Sequence, residues 1–227
     1  MVKDKTKIYM AKTDILDECL FDELYRKVSE ERRKKIDALR FDKDRRLSLG
    51  AELILHETLR RYGYDPAREI KIMRGENGKP YLAGEGGIYF NLSHSGEYVM
   101  CAVSDREIGC DIQKITNSDY RIAERFFTSR EYEDIAGRET QEQRRDMFYR
   151  YWTLKESFLK ATGKGISVPL DSFEFIISDD VSINQSIDER NYYFREYPFD
   201  DYKAAVCVSD RPCDAEAEEI DLREAEI

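Results

Sequence analysis

The chain has 227 residues, 41% of them hydrophobic and 12% aromatic, enough for a buried core and too many for a disordered chain. Its net charge of −10 argues against general binding of nucleic acid or of an anionic membrane. No apolar run approaches the ~18 residues of a membrane span, and no apolar core follows the charged N-terminus to make a secretory signal. Five cysteines without a CxxC pair exclude a zinc ribbon and a disulfide framework and indicate a cytoplasmic protein. Only His56 and His94 are histidines, so zinc sites built on several histidines are excluded.

In chain order, Lys7 to Ala11 reads as a strand, and Asp17 to Leu39 as two short helices, the second capped by Ser29 with Glu30 and Glu31 in its first turn. Asp42 to Tyr62 has helical spacing through Leu47, Ala51, Ile54 and Thr58, with Gly63 as its stop. Ile70 to Met73 alternates as a strand and leads into a turn at Glu76 to Pro80, where Asn77-Gly78 supplies positive φ. A β-rich block follows at Ile88–Leu92, Tyr98–Val103 and Ile108–Ile112. Helical pattern returns over Ser118 to Ala136 and Gln141 to Ala161, and strands close the chain near Phe173–Ile177, Tyr192–Tyr197 and Tyr202–Val208. Helices then strands thus occur twice, which predicts two similar α+β units, 1–106 and 107–209. Residues 210–227 carry eight acidic and two basic side chains and read as a solvated terminus or a short helix end. Between Arg26 and Arg46 ten basic residues face five acidic ones, a positive island on an acidic chain.

Four segments could carry chemistry. In Ile108-Gly109-Cys110-Asp111-Ile112-Gln113, strand alternation puts Ile108, Cys110 and Ile112 on one face and Asp111 and Gln113 on the other. A carboxylate beside an amide oxygen suits Mg²⁺, although a strand end facing solvent is the plainer alternative. Farther on, Tyr151, Leu154, Phe158 and Ala161 form a core stripe, with Trp152, Glu156 and Lys160 beside it. That second stripe is either a surface ion pair or the wall of a cleft, and the chain's single tryptophan favours the cleft. Phe90-Asn91-Leu92-Ser93-His94-Ser95-Gly96 places hydroxyls and an imidazole at a strand end, where Ser93 and His94 can donate to phosphate. Lys79 of Gly78-Lys79-Pro80 is a turn lysine able to meet an anion. Neither a Walker A loop nor a GxGxxG in a strand–helix context is present.

Taken in order, the basic helix region, GKPYL, FNLSHSG, IGCDIQ and WTLKESFLKATGKG resemble the 4′-phosphopantetheinyl transferases of the type with two fused halves. The likeness runs from about Ile8 to Val208 and includes Phe126-Phe127 and Glu131-Tyr132 before the long helix. The resemblance implies an α+β pseudo-dimer with coenzyme A and Mg²⁺ in the cleft between two similar subdomains. It implies transfer of the 4′-phosphopantetheine arm of coenzyme A to a serine of an apo carrier protein, releasing adenosine 3′,5′-bisphosphate. The carrier could serve fatty-acid, polyketide or nonribosomal peptide synthesis.

By the same resemblance, Asp111 and Glu156 are metal ligands, Glu156 is a candidate base, and Lys155 and Lys160 are the motif's lysines, catalytic residues that neutralise the coenzyme A diphosphate. Ser93, His94 and Lys79 lie against coenzyme A phosphates, with further contacts among Arg32, Lys34 and Lys35. Gln113 stands where many members carry Glu, so its place at the metal is open and it can serve as no base. Fused halves imply a monomer. The acidic chain implies that the carrier docks on a local apolar patch near Phe126, Phe127 and the helix before Trp152. Rival readings are a coenzyme A-binding module without catalysis and a Mg²⁺-dependent hydrolase of the same diphosphate.

Overall fold

The computed structural model describes residues 5–65, 70–84, 87–197 and 199–225. Two α+β units are built alike, each a sheet backed by one long helix. In the first, strands β1 (Lys7–Lys12), β4 (Tyr89–Ser95) and β5 (Tyr98–Ser104) lie beside helix α3 (Asp42–Tyr62). Helices α1 (Glu18–Lys27) and α2 (Glu30–Asp37) precede α3, and Ser29 caps α2 as expected. A hairpin of β2 (Ile72–Arg74) and β3 (Pro80–Leu82) stands apart from the main sheet. In the second unit, β6 (Ile108–Lys114), β9 (Tyr192–Glu196) and β10 (Tyr202–Ser209) lie against helix α6 (Gln141–Thr162). A reciprocal capping box between Thr140 and Gln143 starts α6, and Gly163, at φ 66°, ends it.

Strand alternation explains how the units join. Tyr9, Ala11, Val99, Cys101 and Val103 face α3 in one core, whereas Ile8, Met10, Met100 and Ala102 point the other way. There they meet Ile108, Cys110, Ile112, Ala204 and Val206 of the second sheet. Each sheet is therefore buried on both faces, by its helix and by the other sheet. Ile108, Cys110 and Ile112 lie on the face expected for them.

The region from Ser118 to Ala136 is not one helix. It breaks into a 3-10 turn, α4 (Ala123–Phe126) and α5 (Ser129–Ala136), because Thr128 stops one segment and caps the next with Glu131. A second hairpin, β7 (Glu174–Ile177) with β8 (Val181–Asn184), includes a strand absent from the sequence reading.

The acidic C-terminus differs most from expectation. Instead of a solvated tail, β11 (Ala217–Glu219) pairs in parallel with β1 of the first unit. Ile220, Leu222 and Ala225 are buried in that unit's core. The acidic side chains face outward between these apolar positions, so their net charge conceals a packed strand. Residues 226 and 227 lie outside the described residues.

Candidate active site

The seam between the units is made by side chains. Strands β4 and β6 run side by side, and Asn91, Ser93 and Ser95 of β4 accept hydrogen bonds from the backbone N–H groups of Cys110 (2.9 Å), Ile112 (3.3 Å) and Lys114 (3.0 Å). The constant offset keeps the two strands parallel and in register. On β6 itself, Gly109 is required for close approach to α6, since a Cβ there would fall on the Ser157 carbonyl oxygen and the Ala161 nitrogen. That approach sets Asp111 against α6.

Asp111 is 2% exposed and collects three donors. Lys160 Nζ lies 2.6 Å from Oδ1, Ser93 donates its hydroxyl to the same oxygen at 2.8 Å, and the Gln113 amide donates to Oδ2 at 3.1 Å. Lys160 also donates to Ser93 Oγ and to the Cys110 carbonyl. Burial works against the Lys160 ammonium, but Asp111, Cys110 and Glu156 together hold its pKa above the usual lysine value.

Glu156 sits one turn before Lys160 on α6. It has no hydrogen bond or ion pair among the described residues. Burial, then the Asp111 charge, raises its carboxyl pKa, while Lys160 pulls it down. The Trp152, Glu156 and Lys160 stripe is half-buried along its length, a cleft wall rather than a solvated face.

The remaining predicted residues divide. His94 points away from the seam and is exposed. Partial desolvation, then Lys160, holds its imidazole below the ordinary range, with Asp44 of α3 opposing. Lys79 donates to Glu107 (2.6 Å) and to the Ala161 carbonyl (2.8 Å), tying the β3 hairpin to the C-terminal end of α6. Burial lowers its pKa and Glu107 opposes the shift.

Arg32 pairs with Glu52, while Lys34 and Lys35 pair along α2 with Glu30 (2.8 Å) and Glu31 (2.6 Å). None of the three bonds to the Asp111 cluster. Arg40, Lys43 and Arg46, around the start of α3, have no ion pair among the described residues and are the unneutralised part of the basic island.

Lys155 is a correction to the sequence reading. Its ammonium is wholly buried inside the second unit, 2.8 Å from Glu131, and donates to the carbonyls of Leu170 (2.8 Å) and Phe173 (2.9 Å). All three N–H donors are used there, and the Phe173 ring lies 4.4 Å away. It lies five positions before Lys160, which on a helix turns it to another face.

Glu107 was not singled out from sequence, and Glu131 and Asn91 entered only as members of motifs, with no role given to either side chain. The only signal for Asn91 was the spacing Asn91-x-Ser93-x-Ser95 on one strand face.

Beside the cluster a groove runs from Gln113 along Tyr149 and Trp152 to Ile122 and Phe126. Ile122 and Phe126 are 47% and 41% exposed. Phe127 is not part of that surface, because it is buried and stacked on Phe148.

The donor set at the cluster is two carboxylates and no sulfur or imidazole. Among the described residues no group of three or more His, Cys, Asp or Glu could hold a metal. A pair of carboxylates fits Mg²⁺, which takes one or two carboxylates and completes its shell with water and phosphate oxygens.

Comparison with known proteins agrees with this architecture. A sequence profile described as 4′-phosphopantetheinyl transferase, N-terminal, matches residues 17–106, and one of the 4′-phosphopantetheinyl transferase superfamily matches residues 107–207. A 4′-phosphopantetheinyl transferase of Bacillus subtilis is 40% identical over 83% of this chain and 85% of its own length. The transferase Sfp of the same species is 38% identical over 80% of this chain and 82% of its own. The transferase gsp of Aneurinibacillus migulanus is 33% identical over 85% and 81%. With such identity sustained across both units and the seam between them, the chain belongs to the 4′-phosphopantetheinyl transferase family.

Proposed function

We propose that the chain moves the 4′-phosphopantetheine arm of coenzyme A onto a serine hydroxyl of an apo carrier protein and releases adenosine 3′,5′-bisphosphate. The observation that carries this reading is the meeting of Asp111, Glu156 and Lys160 at the seam, with Glu156 unpartnered. The serine oxygen attacks the phosphorus next to the pantetheine. A P–O bond of the diphosphate breaks, the electron pair leaves on the nucleotide phosphate, and Glu156 accepts the serine proton directly or through a water.

Asp111 and Glu156 would hold Mg²⁺, which supplies charge stabilisation to the diphosphate oxygens when bound. Gln113 now turns its N–H toward Asp111, so it must rotate to offer its oxygen. Lys160 lies where an ammonium can neutralise charge developing on the leaving phosphate. Lys155 has no part in this, since it is sealed in the core.

Coenzyme A brings a 3′-phosphate and a diphosphate, matching a positive island on an acidic chain. The exposed pairs of Lys34 and Lys35 are worth ~0–1 kcal/mol, so a phosphate dianion can displace Glu30 and Glu31. His94, Arg40, Lys43 and Arg46 offer further donors on that side. Lys79, held by Glu107, supports the α6 end and meets phosphate only by exchanging that partner.

The carrier docks along the groove at Ile122, Phe126 and Trp152, which leads to Gln113. The chain acts as a cytoplasmic monomer, with 1–106 and 107–209 as its halves. Among the described residues no helix is long and apolar enough to cross a membrane.

Intact-protein mass spectrometry of apo carrier proteins incubated with coenzyme A, Mg²⁺ and this protein tests the reading. The expected result is the gain of one phosphopantetheine mass, abolished by EDTA. Coenzyme A binding with no gain on several unrelated carriers would leave a binding module. Free phosphopantetheine without a carrier adduct would indicate a hydrolase.

A further inference from the structure

Ser93 sits between a strand that belongs to the first unit and a carboxylate that belongs to the second. A serine hydroxyl has one hydrogen to donate and two lone pairs to accept with. Here all three are used. The hydrogen goes to Asp111 Oδ1 at 2.8 Å, and the lone pairs receive the Ile112 N–H at 3.3 Å and Lys160 Nζ at 3.0 Å. Ser93 is 6% exposed, whereas the next residue, His94, faces solvent. A phosphate oxygen needs a donor, and Ser93 could supply one only by releasing Asp111.

We propose that Ser93 is a positioning residue, not a phosphate ligand: from the first unit it fixes the rotamer of Asp111 and the place of Lys160 in the second. The proposal rests on the reading of Asp111 as a metal ligand. It makes the active site dependent on the seam, because the same oxygen that aims the carboxylate also holds β6 to β4. Asn91 and Ser95 secure the seam on either side, so loss of the Ser93 hydroxyl alone removes the aim while two of the three crossings stay.

The test compares Ser93→Ala with Ser93→Thr, which keeps the hydroxyl, and Ser93→Cys, which keeps the size with a weaker donor. The probe is Mn²⁺ alone, followed by electron paramagnetic resonance without coenzyme A, beside steady-state kinetics with coenzyme A and 3′-dephospho-coenzyme A. Ser93→Ala is expected to weaken Mn²⁺ binding and lower kcat by about 10- to 100-fold each, the usual cost of losing a group that orients a metal ligand. KM for coenzyme A stays within about twofold, the kcat loss is the same for the dephospho substrate, and Ser93→Thr recovers most of both.

Unchanged Mn²⁺ affinity with a raised KM for coenzyme A would overturn the proposal and make Ser93 a phosphate ligand. If Ser93→Ala does not fold, Ser93→Cys decides by the same two readouts. A wild-type protein that binds no Mn²⁺ or transfers nothing would overturn the reading of Asp111 itself, before any variant is measured.

Discussion

Helix α6 carries two lysines, Lys155 paired with Glu131 of α5 and Lys160 paired with Asp111 of β6, and the two pairs differ in their surroundings. Lys155 and Glu131 are both 0% exposed, and every polar atom of the pair is spoken for by backbone groups of Leu170, Phe173, Phe175 and Thr128. Lys160 and Asp111 lie at the seam, with Lys160 partly open to the cleft and an unpartnered Glu156 one turn away. A charge pair closed on all sides can only hold structure. A pair beside a third, unsatisfied carboxylate has somewhere for a ligand to go. Both pairs are fully hydrogen-bonded, so what sets the seam pair apart is its opening to the cleft and the unpartnered carboxylate beside it, not residue type.

Breaking the closed pair is expected to have the largest effect on the fold. Lys155→Ala leaves Glu131 ionised in an apolar interior, and such losses cost about 3–5 kcal/mol. Urea denaturation measures this. The double variant with Glu131→Gln is expected to be less destabilised than the single, because no orphan charge remains. Equal destabilisation of both would mean that packing of the lysine stem, not the ion pair, is what α6 needs.

The matching change at the seam is expected to act on rate more than on stability. In Lys160→Ala, Asp111 keeps the Ser93 and Gln113 donors and water can enter from the cleft. Loss of one preorganised cation at a developing phosphate charge lowers kcat by about 100-fold, or about 2.7 kcal/mol. A loss of stability as large as that of Lys155→Ala, with kcat intact, would reverse the assignment of the two lysines.

Much of this contrast was invisible to sequence reasoning. The motif around Glu156 contains both lysines, and motif membership alone placed Lys155 at the diphosphate. Helical geometry separates them by about 140°, since each residue turns about 100°. What occupies the second face, Glu131 and the loop at Leu170 to Phe173, comes from elsewhere in the chain.

The long helices, the faces of β6 and the doubled α+β plan were legible because periodicity is a local property. The C-terminal strand was not, because eight acidic residues outweighed the buried Ile220 and Leu222 between them. The role of Ser93 was half legible: a hydroxyl at a strand end suggests a donor, but which partner spends it depends on strand β6 alongside.

Glu156 sharpens the comparison from the other side. Burial and Asp111 raise its folded pKa above the ordinary 4.5, so its ionised form is the less favoured in the folded protein. That cost is fully present above the raised folded pKa and vanishes as pH falls below the unfolded value. Glu156→Gln is therefore expected to stabilise the metal-free protein by about 1 kcal/mol at pH 8, while transfer is lost. Thermal unfolding across pH checks this: the gain must shrink through the acid range. A gain constant from pH 3 to pH 8 would show that the ionisation of Glu156 carries no cost.

The smallest effect is the most specific. Lys160 pulls the Glu156 carboxyl down against burial and Asp111, whereas Lys155 does not act on it. With ¹³C-labelled glutamate in the metal-free protein, and Glu156→Gln to assign the signal, Glu156 is expected to titrate above 4.5 in the wild type. In Lys160→Ala the midpoint moves up, because the opposing cation is gone while Asp111 remains. In Lys155→Met it stays where it was, since that lysine faces Glu131 on the other side of the helix. A midpoint that follows Lys155 and ignores Lys160 would mean that the cleft is organised around the wrong face of α6. Asp111 would then have to be balanced by Ser93 and Gln113 alone, two neutral donors, and the unpartnered carboxylate beside it would be left with no cation to set its charge.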